Sequence, residues 1–340
     1  MRRREFLGLA GAALFSVPRI SIAQTTSSKT LRIVVVANRY HEADGLMAAV
    51  CNQMTHNPNL GVPYNVDWPR PQTDPPTDSQ KPRCLIDVLK DSSGNALSAT
   101  LEIWCIDDLA DTKGDSGAKV KAMDLITDYT NPPSAPGGVV AFGTAGYPGL
   151  PSNDGCATIG GTIFIHDAAN DVPGLQGGSW SWPGHMGVPV PSKTPASFFT
   201  NVAADQKTLD AISNEMIAPQ VRPASVLQLL IAADAVGISS VNIPTIGPNT
   251  PPPYCDIDSK AIARAQQAGA ANITSVETTH GVIRSKWPNA PFIYVTAIPN
   301  RVCHFPDEAS QKYAQEFPSS HNAGIALKYV MPYFVGAIAR

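Results

Sequence analysis

Glu42, Glu277, His280 and Asn300 are the residues of this 340-residue chain whose types and settings could do chemistry. They fall in short polar or Gly-rich stretches: Asn38 to Glu42, Ser275 to His280 and Asn300 to His304, with Gly143 to Gly146 as a fourth. A positioned carboxylate such as Glu42 or Glu277 can take a proton or hold hydroxyl groups, and His280 can donate to a ligand. Asn300 can hydrogen-bond a ligand but cannot act as an acid. Gly143-Thr144-Ala145-Gly146 lets backbone amides approach a ligand closely. Each feature also has a plainer structural use. Glu42 suits the first turn of a helix, where the helix dipole favours a carboxylate, and the glycines suit a tight turn.

These residues need a rigid frame, and the apolar pattern supplies one. Leu31 to Ala37 is a continuous β-branched run, the mark of a strand buried on both faces of a sheet. His41 to Met54 has helical spacing, with Leu46, Ala49, Val50 and Met54 on one face. Cys84 to Lys90 and Leu97 to Cys105 read as a hairpin, and Gly117 to Tyr129 as a helix. Strands are predicted at Gly138 to Phe142, Ala157 to His166, Ser239 to Ile246 and Pro291 to Ile298. Helices are predicted at Gln206 to Met216, Ala224 to Val236, Ser259 to Ala268 and His321 to Ile338. Residues 56–82, 170–198 and 247–255 read as Pro-rich or Gly-rich loops. The alternation predicts one α/β domain, a three-layer α/β/α sandwich around a mixed, mostly parallel sheet. In such sheets ligands bind beyond the carboxyl ends of the strands, where the polar stretches lie.

Arg3-Arg4-Glu5-Phe6-Leu7 matches the twin-arginine export consensus; the apolar run Leu7 to Val17 and the small-x-small site Ser21-Ile22-Ala23 follow. Residues 1–23 are therefore read as a signal segment and 24–340 as the exported, periplasmic or secreted, domain. The apolar run is too short to span ~30 Å of hydrocarbon, so no permanent membrane anchor is expected. Residues 1–23 hold four Arg and one Glu, so their removal takes the formal charge from −3 to about −6. No Lys/Arg run survives, which argues against a nucleic-acid partner. Charged residues make up 16% and apolar residues 43%, a packed globule with stiff loops rather than a disordered chain. Six cysteines in an oxidising compartment permit disulfides. A two-residue turn at Gly94-Asn95 would set Cys84 opposite Cys105, so these two are either a cross-strand bridge or two small buried residues. No CxxC or HxxxH spacing occurs, and neither a metal nor an organic cofactor is implied.

The order of the motifs resembles the nucleoside phosphorylase and nucleosidase superfamily. That superfamily includes purine nucleoside phosphorylases, uridine phosphorylase, and methylthioadenosine and adenosylhomocysteine nucleosidases. Ile33 to Leu46 resembles its opening strand, carboxylate turn and helix; Gly143-Thr144-Ala145-Gly146 its G-[ST]-x-G loop; and Ile159 to Asp167 its next strand. Ser275 to Gly281 resembles in part its V-E-M-E-[GA] motif, and Ala297-Ile298-Pro299-Asn300 its A-I-S-D strand end. The resemblance runs in order from residue 31 to 338, with longer insertions at 56–82 and 170–198 than the superfamily usually shows.

The resemblance implies cleavage of an N-glycosidic bond in a purine or related nucleoside. Such cleavage requires a stabilised ribosyl cation, a hydrogen-bonded leaving base and a nucleophile on the opposite face. Glu42 takes the place of the carboxylate that activates water. Gly143, Thr144 and Gly146 approach phosphate, ribose or water. Glu277, with Thr278, Thr279 and His280, lines the ribose; Thr279 replaces the usual second Glu. Asn300 replaces the base-protonating Asp and would hydrogen-bond the base. Phe198 or Phe199 resembles the base-stacking position, and Trp180 and Trp182 are further candidates. Phosphorylases carry Arg two residues before the G-[ST]-x-G loop, where this chain has Ala141, and Arg39 is the only obvious replacement. Water is thus favoured over phosphate as nucleophile. The resemblance also implies a homo-oligomer. A second reading is a non-catalytic periplasmic nucleoside-binding protein, like the purine nucleoside permeases of the same fold. No G-x-S-x-G or G-x-G-x-x-G occurs, which argues against a serine hydrolase and a dinucleotide enzyme.

Overall fold

The computed structural model describes residues 30–51, 64–67, 81–127, 135–149, 153–172, 175–244, 253–308 and 312–339. The signal segment at 1–23 and most of the 56–82 and 247–255 loops lie outside the described residues. Strands in chain order are β1 Leu31–Ala37, β2 Tyr64–Asp67, β3 Cys84–Lys90, β4 Ala96–Cys105, β5 Gly138–Tyr147, β6 Ala157–Gly160, β7 Thr162–Asp167, β8 Pro189–Pro191, β9 Leu229–Ile231, β10 Ala235–Val241, β11 Asn272–Glu277 and β12 Phe292–Arg301. Helices are α1 Tyr40–Cys51, α2 Ile106–Leu109, α3 Ser116–Ala122, α4 Asp124–Thr127, α5 Ala196–Ala204, α6 Gln206–Glu215, α7 Tyr254–Gln267, α8 His280–Lys286, α9 Phe305–Glu308 and α10 Lys312–Ile338.

The apolar run of β1 is buried on both faces, as its composition requires. Ile33, Val35 and Ala37 join a core with Leu46 of α1, Phe198 of α5 and Val330 of α10. Val34 and Val36 point the other way, onto Met123, Ile126 and Val282 near α3, α4 and α8. β5 and β12 divide their residues in the same manner: Val140 and Ile293 face the first core, Ala141 and Tyr294 the second. A third cluster packs Ala261 and Ala265 of α7 on Phe164, Ile238 and Val276. The described strands join in one mixed sheet with helices on both sides. Parallel pairings (β1 with β4 and β5, β5 with β12, β6 with β9, β10 with β7 and β11) outnumber antiparallel ones by six to five. The predicted α/β class and layered sheet are what the structure has.

Several local predictions are corrected. Ala224 to Val236 is not a helix: Leu229–Ile231 pairs in parallel with Ala157–Ile159, and β10 begins at Ala235. Pairing at the sheet edge outweighs the helical spacing of those apolar residues. The predicted strand Ala157 to His166 divides at Gly161 into β6 and β7, which pair with different neighbours. The helix predicted from His321 begins at Lys312, with Pro318 and Pro332 inside it.

The cysteine prediction also changes. Cys84 lies opposite Ile103, not Cys105, because the hairpin turn is longer than two residues. The Asp91 carboxylate accepts from the Ser93 and Asn95 amides, and a register shift follows Val88. Cys84 and Cys105 are buried and do not pair with each other, whereas Cys255 at the start of α7 is disulfide-bonded to Cys303 beyond β12.

Candidate active site at the strand ends

The parallel register of β1 and β5 places Ala37 beside Phe142, so the turn Asn38-Arg39 emerges beside Gly143-Thr144. Gly143 to Gly146, expected as a loop beyond the strand, continue β5 and pair with β12, and Glu42, in the first turn of α1, bridges the Asn38-Arg39 turn and this stretch of β5. Its Oε1 accepts from Thr144 N at 2.8 Å and from Thr144 Oγ1 at 3.0 Å. Its Oε2 accepts from Asn38 N at 3.1 Å and Arg39 N at 2.9 Å. The second set resembles the carboxylate half of a helix capping box. Glu42 therefore serves the helix start and the Gly-rich stretch of β5 together, and it is buried.

The next contributors come from β11 and α8. β12 aligns Thr296 with Gly143, and Asn300 with Gly146; β11 meets Gly146 through Val276. Glu277 then lies at the end of β11, where Oε2 accepts from the Thr279 and His280 amides and Oε1 from Ser239 Oγ. His280 is 2% exposed, stacks on Tyr294 with ring centroids 5.9 Å apart, and its Nδ1 has no hydrogen-bond partner. A Cβ on Gly143 would lie 2.8 Å from Glu42 Oε1 and 3.3 Å from His280 Nε2. Glycine at 143 thus keeps open one small volume touched by a carboxylate and an imidazole.

Lys119, on α3, completes the cluster and was not singled out in the sequence. It is 2% exposed, and Nζ donates to Thr279 Oγ1 at 2.7 Å; the Thr279 hydroxyl in turn lies 3.2 Å from that of Thr278. Burial pushes the Lys119 ammonium down to about 8, against the opposing pull of Glu277, Glu42 and Asp107. One sign was legible in advance. Lys119 stands on the apolar stripe Lys119, Ala122, Met123, Ile126, where a lysine must be buried. Arg39, half-exposed, reaches Asp107 of α2 at 3.4 Å. Asp107 is pushed up by burial, opposed by Arg39.

The structure thus gathers Arg39, Glu42, Gly143, Thr144, Glu277, Thr278, Thr279 and His280, with Gly146 and Asn300 further along β5 and β12. Asn300 is buried, and its Nδ2 donates to Arg301 O at 2.7 Å. Phe198 and Phe199 stand apart from this group. Both are buried in the core, and Phe198 packs edge-on against Phe334 of α10 at 5.5 Å. Trp180 and Trp182 are partly buried against the second core, and the Trp180 amide donates to Asn242 Oδ1 at 3.0 Å. Ser240, His166 and Asp171 also form a hydrogen-bonded line, at 3.3 and 2.7 Å. Ser240 is buried within β10, which denies it the access a nucleophile needs. No group of three His, Cys, Asp or Glu among the described residues could hold a metal ion, and no described helix is long and apolar enough to cross a membrane.

No family model and no curated protein matches the chain. Solved structures that match it include S-adenosylhomocysteine and 5′-methylthioadenosine/S-adenosylhomocysteine nucleosidases. The Streptococcus pyogenes enzyme, in complex with 5-methylthiotubericidin, is 11% identical with a TM-score of 0.49, over 90% of this chain and 98% of its own. The Colwellia psychrerythraea enzyme, in complex with adenine, is 11% identical with a TM-score of 0.49, over 89% and 96%. The Neisseria meningitidis enzyme, in complex with methylthio-immucillin-A, is 11% identical with a TM-score of 0.45, over 88% and 98%.

Proposed function

We propose that this protein is an exported nucleosidase that cleaves the N-glycosidic bond of a purine or related nucleoside with water as nucleophile. One observation carries the reading: the Glu42 carboxylate occupies the amides of Asn38, Arg39 and Thr144. Those amides, two in the turn before α1 and one on the Gly-rich stretch of β5, are donors with which the chain would hold an inorganic phosphate. With Glu42 seated on them, the anion is supplied by the chain itself, and water is the nucleophile that fits beside it.

The role of each group follows. Glu42 accepts the proton of water on the open side of Gly143. Its four acceptor positions are all in use, and the replaceable bond is the one from the Thr144 hydroxyl, which can rotate away while backbone amides cannot. His280 Nε2, on the other side of the same volume, orients that water. Asn300 hydrogen-bonds the leaving base without protonating it. Export by the twin-arginine route with release of residues 24–340, and assembly into a homo-oligomer, belong to the same proposal.

A binding protein without turnover is the second reading, and two observations favour it. Glu277 is held by Ser239 and by two backbone amides, which leaves it little capacity for ribose hydroxyls. The Asn300 amide is engaged with Arg301 O and supplies no acid. Turnover decides between them. The protein is given a nucleoside panel, and free base is followed with and without phosphate, for wild type and Glu42→Gln. Base release without phosphate, lost in Glu42→Gln, supports the nucleosidase. Release only with phosphate refutes the role given to Glu42. Tight binding with no release selects the binding protein.

A further inference from the structure

The corner of the site between α3 and α8 holds more buried donors than its own chain satisfies. The Lys119 ammonium carries three N–H groups, and among the described residues it makes one hydrogen bond, to Thr279. His280 Nδ1 lies 3.8 Å from Glu277 Oε1, beyond hydrogen-bond reach. Acceptors are scarce by comparison. Glu42 already holds four donors and Glu277 three. The charged groups that act on Lys119 are Glu277 from the end of β11, Arg39 from the turn before α1, Glu42 from its first turn, and Asp107 from α2. None of these carboxylates forms an ion pair with Lys119 among the described residues. Two are seated on backbone amides, and Asp107 pairs with Arg39. A ligand entering this corner must therefore bring acceptors, and the neighbouring ammonium and guanidinium favour acceptors that carry negative charge.

We propose that Lys119 and Arg39 form a subsite for an oxyanion carried by the ligand, so that the site takes a nucleoside with a phosphate ester on its sugar in preference to the free nucleoside. This rests on the nucleoside reading above and narrows its substrate class. Lys119 is the buried contact, desolvated and directional. Arg39 is the outer one, released from Asp107 when the phosphate arrives. Because burial brings the ammonium down to about 8, the preference is strongest near pH 7 and fades toward pH 9.5 as the amine loses its proton.

The test is calorimetric titration of the purified protein with inosine, with its 2′-, 3′- and 5′-monophosphates, and with inorganic phosphate alone, at pH 7 and pH 9.5. Wild type is compared with Lys119→Met and Lys119→Arg. At least one monophosphate should bind about tenfold or more tightly than inosine at pH 7. That ratio should shrink several-fold at pH 9.5 and in Lys119→Met, and persist in part in Lys119→Arg. Equal affinities, or a preference that survives in Lys119→Met, overturn the subsite. If Lys119→Met does not fold, the pH comparison on wild type decides alone. Inorganic phosphate that binds as tightly as the ester, and displaces it, overturns the proposal in favour of free phosphate. Inosine cleaved with no preference for a monophosphate removes the subsite and leaves the nucleosidase standing. A monophosphate bound while inosine is neither bound nor cleaved supports the subsite and removes the nucleosidase acting on free nucleosides. No binding of any probe overturns both.

Discussion

Replacing Lys119 with Met should stabilise the ligand-free protein. The ammonium is brought from its ordinary 10.5 to about 8 by burial, a difference of about 2.5 pH units. At ~1.36 kcal/mol per unit, keeping the charge inside the fold at pH 7 costs about 3 kcal/mol relative to the neutral amine. Met removes that cost, fills a similar volume, and loses the Thr279 hydrogen bond, which is worth about 1–2 kcal/mol. The net expectation is a gain of about 1–2 kcal/mol at pH 7. The pH dependence has a definite sign. A lysine with a depressed folded pKa binds fewer protons folded than unfolded, so wild-type stability rises with pH between about 8 and 10.5. In Lys119→Met that rise is absent, so the gap closes as pH passes through the window and reverses near its top, where wild type keeps the Thr279 hydrogen bond without the cost of a buried charge. Urea unfolding of both, with the disulfide intact, at pH 7, 8.5 and 10 measures this, because titrations of other groups cancel in the difference. A variant less stable than wild type at pH 7, with a difference that does not change with pH, would refute the buried, charged state assigned to Lys119. A stabilised variant that also loses its ligand preference would make Lys119 a functional residue retained against stability.

Three further outcomes are expected. Gly143→Ala places a methyl 2.8 Å from Oε1 of the Glu42 carboxylate, which four hydrogen bonds, two to each oxygen, hold in place; ligand affinity or turnover should fall at least tenfold with a stability loss of about 1–2 kcal/mol, and unchanged titrations would show that the volume beside Gly143 is not used. The Cys255–Cys303 bond closes a loop over a separation of 48 residues; by chain entropy its reduction should lower stability by up to about 4 kcal/mol, and a denaturation curve indifferent to reductant would mean that the bond does not form. Arg32 holds the buried Glu102 in a two-pronged pair at 2.6 and 2.7 Å; Arg32→Met should cost about 3–5 kcal/mol by leaving Glu102 with Trp104 Nε1 as its remaining side-chain donor, and a loss under 1 kcal/mol in thermal or urea unfolding would contradict that.

What could be read from the chain alone had short-range causes. The β-branched run Leu31 to Ala37 must be buried on both faces wherever it lies, because it has no polar face to offer water. Glu42 in a first helical turn follows from local preference in the same way, whereas Gly143-Thr144, expected beyond the strand end, continues β5 because β12 pairs with it. Register lies beyond such reasoning. A five-residue turn organised by Asp91 in place of a two-residue one moved Cys84 from Cys105 to Ile103, and the disulfide formed instead between residues far apart in the chain. Leu229–Ile231 became a strand because β6 offered it an edge, which no local spacing reveals. Phe198 and Phe199 went to the core because α10 covers them, and Lys119 reached Thr279 because α3 packs on α8. The sequence by itself determined the layered α/β architecture and which strand ends carry reactive groups, since period and propensity act within a few residues. Tertiary structure alone decided which of those groups meet, that a buried cation stands among them, and how many acceptors remain for a ligand, since hydrogen-bond partners and desolvation are set by residues distant in the chain.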